Sequence, residues 1–180
     1  VSGLMYLKGY KTLEGKYENY PVFLKKLVNN IIQEGFEVLL VPHTYNKKTP
    51  NFEDDLKGIK KFLKDNPELS KRVLFINEDY SAQELKYIIS KTIFFMGSRM
   101  HSCIAGLSTS VPTIGLSYSY KFEGTFKMFK QQDLVFDINY LEEKSIENLI
   151  KSILAKIVKR SEIKSVLLKE NKREELILKI

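Results

Sequence analysis

Short apolar runs alternate along this chain with stretches in which apolar positions recur every three or four residues. The runs at residues 4–7, 36–41, 73–76, 92–96, 112–116 and 134–136 read as strands. Most do not alternate with polar residues, as in strands covered on both faces of a parallel sheet. The periodic stretches between them read as helices. One carries Pro21 in its first turn and ends at Gly35, and another covers 54–66 and stops at Pro67. Ser81 and Glu84 form a capping box that opens a helix over 81–90. A helix follows Ser98, taken as its N-cap, with Met100, Cys103, Ile104 and Leu107 on one side. Further helices are expected over 122–131 and 146–158.

Regular strand–helix alternation predicts an α/β fold, a Rossmann-like open parallel sheet with helices on both faces. Residues 1–160 form this domain, and 161–180 form a charged, helix-prone extension whose apolar side is Val166, Leu167, Leu176 and Ile177. Of the 180 residues 43% are hydrophobic, enough for the core of one domain. No apolar stretch approaches the ~18–20 residues that cross a bilayer, and no leader pattern is present, so a soluble, cytoplasmic location is expected.

Two histidines and one cysteine are too few for an ordinary zinc site, and a single cysteine forms no internal disulfide. No metal or cofactor is expected. Cys103 falls on the inward stripe of its helix and reads as core. The net charge of +7 raises the question of nucleic acid, but the lysines lie mainly on helix faces opposite the apolar stripe, and no RNA-binding aromatic motif or helix-turn-helix pattern appears. No nucleic-acid partner is expected. The basic surface suits anionic substrates or peripheral contact with the inner membrane face.

The segment Met96-Gly97-Ser98-Arg99-Met100-His101 carries the chemistry. It places an arginine and a histidine where a buried strand turns into a helix. That end presents unpaired N–H groups and the positive pole of the helix dipole, and a guanidinium beside it suits a carboxylate or phosphate. Cation and dipole repel each other there, and a bound anion offsets the conflict. No G-x-G-x-x-G follows any strand, so a dinucleotide is not indicated. Ligands of open parallel sheets sit outside the carboxyl ends of the strands, where His43, Glu78, Arg99, His101 and the segment 117–121 are all expected.

The run from Gly97 to Lys121 resembles the polysaccharide pyruvyl transferase family. An Arg-x-His opens a small-residue helix (Ser102, Ala105, Gly106), followed by Ser110-Val111-Pro112-Thr113-Ile114-Gly115-Leu116 and then Tyr118-Ser119-Tyr120-Lys121 with Gly124. A looser match is Val41-Pro42-His43 followed by Asp54-Asp55. The resemblance implies transfer of the enolpyruvyl unit of phosphoenolpyruvate to two hydroxyls of a sugar, giving a pyruvate ketal and phosphate in cell-surface polysaccharide biosynthesis. It further implies one half of a two-domain fold similar to GT-B glycosyltransferases. On this basis a chain opening on Val1 reads as the C-terminal half of an enzyme, with a missing N-terminal domain as partner.

Within that resemblance Arg99 is the clamp for carboxylate or phosphate, and His101 the general acid or base. Lys121 is a phosphate contact, and Tyr118 and Tyr120 flank it to stack on a sugar or a base. Ser98, His43 and Glu78 complete the substrate-binding set, Glu78 as a grip on sugar hydroxyls. Asp54 and Asp55 are also explained as helix caps. The acceptor sugar is free, lipid-linked or nucleotide-linked. Two alternatives stay open: a nucleotide-sugar-dependent glycosyltransferase of similar fold, and a non-catalytic sugar- or anion-binding domain.

Overall fold

The computed structural model describes residues 1–8, 15–45 and 52–177, with side chains up to Lys172. These residues form two compact units, Val1–Tyr80 with Ile138–Lys151, and Ser81–Asp137 with Ser152–Ile180. Each holds a parallel sheet, and helices lie on both sides of the strands in this mixed α/β fold.

The first unit opens with α1 (Gly3–Leu7) and continues through α2 (Tyr20–Gln33), β1 (Val38–Leu40), α3 (Asp55–Asp65), α4 (Pro67–Ser70) and β2 (Val73–Phe75). Strands β1 and β2 pair in parallel, with Leu39 opposite Leu74. The apolar run at 4–7, expected as a strand, is helical. A run this short carries no period, and the environment of Gly3 decides the outcome. A Cβ on Gly3 would collide with the Asp54 carbonyl, and one on Gly58 would stand 2.9 Å from the Gly3 Cα. Two glycines thus let α1 lie backbone-to-backbone against α3, which buries Met5 and Tyr6. The Tyr6 ring meets Phe62 edge-on, centroids 5.8 Å apart.

Helix α2 begins with Pro21 in its first turn and turns Phe23, Leu24, Leu27, Val28 and Ile31 inward. Gly35 follows at φ +85°, the left-handed conformation that glycine adopts without penalty at a helix end. Helix α3 buries Ile59, Phe62 and Leu63, and Asp54 caps it by accepting from the Lys57 N–H at 2.9 Å.

The second unit contains α5 (Ala82–Ser90), β3 (Phe95–Gly97), α6 (Met100–Ser108), β4 (Thr113–Ser117), α7 (Lys121–Met128) and β5 (Val135–Asp137). Helix α8 (Ile146–Val158) contributes to both units, and α9 (Arg160–Ile177) closes the described chain. The capping box of α5 is formed, with Ser81 and Glu84 bonded reciprocally. The sheet order is β3-β4-β5, all parallel. Every residue of the central strand β4 is buried, as the unalternating pattern of 112–116 requires.

Among the described residues there are five strands in two sheets, where the sequence suggested one sheet of six. The polar loop expected over 43–53 lies partly outside the described residues. In α9, Leu167 is fully buried and Val166 is exposed. The Leu176 and Ile177 side chains lie outside the description. No described helix is long and apolar enough to cross a membrane.

Candidate functional site

Strand β3 ends at Gly97, and the chain turns at once into α6. A Cβ at Gly97 would lie 2.9 Å from Ser102 Oγ and 3.0 Å from Cys103 Sγ, so glycine lets the helix come down on the strand exit. The residue that occupies the N-cap position is Arg99, with extended φ and ψ of −101° and 123°. Ser98, expected there, lies one position earlier and is buried. The cap moves by one residue because the carbonyl that accepts the first helical bond, from the Cys103 N–H at 3.1 Å, is that of Arg99. The Ser102 hydroxyl donates to the same carbonyl at 2.7 Å, and the Cys103 thiol donates to the Gly97 carbonyl at 3.2 Å. Burial raises the Cys103 pKa far above the ordinary thiol range, which leaves a packing group rather than a nucleophile.

These bonds fix the backbone beneath the two side chains of interest. Arg99 is half-buried, and His101 is exposed on the first turn of α6. The N–H groups of Met100, His101 and Ser102 precede the first intrahelical bond and face the open end of the helix. The site therefore combines a guanidinium, an imidazole and a set of backbone donors. That set suits an anion.

Strand β4 runs beside β3 in the same direction, with Gly97 opposite Gly115. Its exit therefore lies on the same sheet edge. The Ser117 hydroxyl donates to the Ser119 carbonyl at 2.8 Å and accepts from the Ser119 N–H at 3.2 Å, which closes a tight turn. Tyr118 then packs edge-on against Phe122 with centroids 6.0 Å apart, leaving Tyr120 85% exposed and Lys121 exposed at the start of α7. Gly115 matters for this turn: a Cβ there would meet the Phe122 and Phe126 rings at 2.8 and 2.9 Å. The structure thus groups Ser98, Arg99, His101, Tyr118, Tyr120 and Lys121 at the carboxyl edge of one pair of strands.

His43 and Glu78 form a second group, in the first unit. His43 follows β1, and Glu78 follows β2 and is exposed. The two exits are tied by the Tyr45 hydroxyl, which donates to the Glu78 carbonyl at 2.7 Å. Of the acidic pair, Asp54 is the cap of α3. Asp55 turns instead to the backbone of Gly3, His43 and Thr44, a role that no local sequence signal announces. Among the described residues no group of three or more His, Cys, Asp or Glu is arranged to hold a metal ion.

The chain is similar to the amylovoran biosynthesis protein AmsJ of Erwinia amylovora, with 20% identity over 144 residues. That match takes in 80% of this chain and 34% of AmsJ, so the chain spans about a third of its relative's length. No solved structure matches it significantly. The family model for polysaccharide pyruvyl transferase matches residues 6–120, more than half of the chain. The matched segment takes in His43, Glu78, Ser98, Arg99, His101, Tyr118 and Tyr120 and stops one residue short of Lys121. On that match, the chain belongs to the polysaccharide pyruvyl transferase family.

Proposed function

We propose that this chain carries the donor-handling part of an enzyme that moves the enolpyruvyl unit of phosphoenolpyruvate onto two hydroxyls of a sugar. Family membership supports a transferase of polysaccharide biosynthesis, and the similarity to a protein of amylovoran biosynthesis points the same way. The observation that carries the finer reading is the edge shared by β3 and β4. There Arg99 and His101 stand at the open end of α6, on the side where Lys121 begins α7.

In this reading Arg99 grips the donor carboxylate, a charge-assisted contact that contributes about 1.5–3 kcal/mol. Lys121 and the N–H groups of α6 take the phosphate. A first sugar hydroxyl adds to the enol carbon that bears the phosphate and gives up its proton, while a proton goes to the methylene, which becomes a methyl group. The C–O bond to phosphate then breaks, and a second hydroxyl adds to the same carbon and loses its proton. One ketal and one phosphate result. His101, exposed beside the arginine, moves one of these protons. Tyr118 and Tyr120 stack on the acceptor and Ser98 completes the contacts at this edge, while in the first unit His43 and Glu78 are substrate contacts at the exits of β1 and β2, Glu78 for sugar hydroxyls. No metal or cofactor takes part. The remaining part of the enzyme, as a further domain, supplies the rest of the acceptor site. The reaction belongs in the cytoplasm, on an acceptor carried free, on a lipid or on a nucleotide, with the basic surface turned to the inner membrane face.

Titration of the full-length enzyme with phosphoenolpyruvate and, separately, with UDP-sugars tests the donor. Saturable binding of phosphoenolpyruvate supports the proposal. Binding of a UDP-sugar alone would make the protein a nucleotide-sugar glycosyltransferase.

A further inference from the structure

We infer that Asp55 is a positioning residue for His43, holding the loop that carries the imidazole through its backbone. The proposal rests on the reading that His43 touches substrate, and it concerns how that side chain is presented. Asp55 is the first residue of α3 and is 1% exposed. Its Oδ1 accepts from the Gly3 N–H at 2.8 Å, and its Oδ2 accepts from the N–H groups of His43 at 3.2 Å and Thr44 at 3.0 Å. The Asp55 N–H returns a bond to the Thr44 carbonyl at 2.9 Å. One carboxylate thereby joins α1, the exit of β1 and the first turn of α3.

Residues 41–45 belong to no helix or strand. A segment without ladder bonds takes its conformation from whatever satisfies its backbone groups. Here the donors of His43 and Thr44 go to Asp55, while the far end of the segment is tied by the Tyr45 hydroxyl to Glu78. The helix does not need this carboxylate as a cap, because Asp54 already serves. A buried carboxylate is tolerated where donors replace its lost hydration, and the backbone of the His43 loop supplies two of them. An asparagine at this position keeps one acceptor oxygen and cannot serve Gly3 and the loop together.

Each imidazole gives an Hε1 and an Hδ2 signal in an NMR spectrum, and those of His43 and His101 are assigned by their loss in His43→Gln and His101→Gln variants. In Asp55→Asn, with folding checked by circular dichroism, the His43 signal is expected to move toward the free-histidine position while that of His101 stays in place. An unmoved His43 signal in the folded variant would overturn the proposal. Should the variant not fold, amide exchange in the unaltered protein decides. The His43 and Thr44 N–H groups are expected to exchange about a hundredfold or more slower than an unprotected loop, and exchange at the unprotected rate would overturn it. Phosphoenolpyruvate added to the unaltered protein provides a separate arm. A His43 signal that ignores it removes the substrate contact while leaving the hold of Asp55 on the loop as measured.

Discussion

Gly58 faces Gly3 so closely that a Cβ added to it would stand 2.9 Å from the Gly3 Cα. Alanine there would gain about 1 kcal/mol of helix propensity. It would also push α1 off α3 and stretch the Gly3 bond to Asp55, and overpacking of this kind costs about 1–3 kcal/mol. Because the obstacle is backbone and cannot rotate away, Gly58→Ala should lower the melting temperature. Gly124 supplies the control, since it is an exposed residue of α7 with nothing within 4 Å of its added Cβ. Gly124→Ala should raise stability by up to about 1 kcal/mol. Thermal unfolding of the two variants should give shifts of opposite sign, and equal shifts would refute the close approach of α1 to α3.

Asp54 and Asp55 are neighbours with different work. Loss of the cap in Asp54→Ala should destabilise by about 1 kcal/mol, and Asp54→Ser should restore most of it, because a hydroxyl serves the Lys57 N–H as well. Failure of serine to rescue, measured by chemical denaturation, would show that Asp54 does more than cap.

Asp65 on α3 accepts from Lys61 at 2.9 and 3.0 Å and from the Tyr6 hydroxyl at 3.0 Å. The Lys61 hydrogen bond, with Tyr6 adding to it, holds the Asp65 carboxyl below the ordinary carboxylate range. A folded-state pKa below the unfolded one stabilises fully above the unfolded value, about 3.9, and the contribution fades as pH falls through the folded one. The side chain is 39% exposed, so screening keeps the effect within about 1 kcal/mol. Asp65→Asn should therefore be slightly less stable at neutral pH and should converge with the unaltered protein in strong acid. A gap of constant size in urea titrations at both pH values would exclude this linkage.

Arg99→Ala in the full-length enzyme should weaken phosphoenolpyruvate by about 10- to 100-fold, the equivalent of one charge-assisted contact. Lys121→Ala should weaken phosphate and phosphoenolpyruvate alike. Unchanged donor affinity in a folded Arg99→Ala protein would rule out the clamp.

Much of this arrangement is legible in the residues themselves. The capping box at Ser81, the proline in the first turn of α2, the stop at Gly35 and the unalternating β4 are local patterns, and local patterns fix them. The glycine break that sets Arg99 at a helix start is of the same kind. What was not legible depends on contacts far apart in the chain. The run at 4–7 is helical because of Gly58, more than fifty residues away, and no period within the run could say so. The cap of α6 is a local exception: it falls on Arg99 rather than Ser98, where Ser102 and Cys103 grip the Arg99 and Gly97 carbonyls three and six residues away. Asp55 reads locally as a first-turn acid, whereas its partners are Gly3, His43 and Thr44. Ser110 adopts φ +57°, an uncommon conformation for serine, while accepting at 2.8 Å from Asn171 of α9. Asn171 also donates to the Leu107 carbonyl at 2.9 Å, so the end of α6 is closed by a residue that no helix-capping rule would nominate.

In the proposed reaction His101 moves a proton while Arg99 and the start of α6 hold the donor. Pyruvyl transfer by the full-length His101→Ala enzyme tests it, at a temperature where circular dichroism shows the protein folded and beside a phosphoenolpyruvate titration. Donor affinity is expected to stay near that of the unaltered enzyme and transfer to fall by about 10²-fold or more, the usual scale of a lost general acid or base. Near-normal turnover in the folded variant would contradict it.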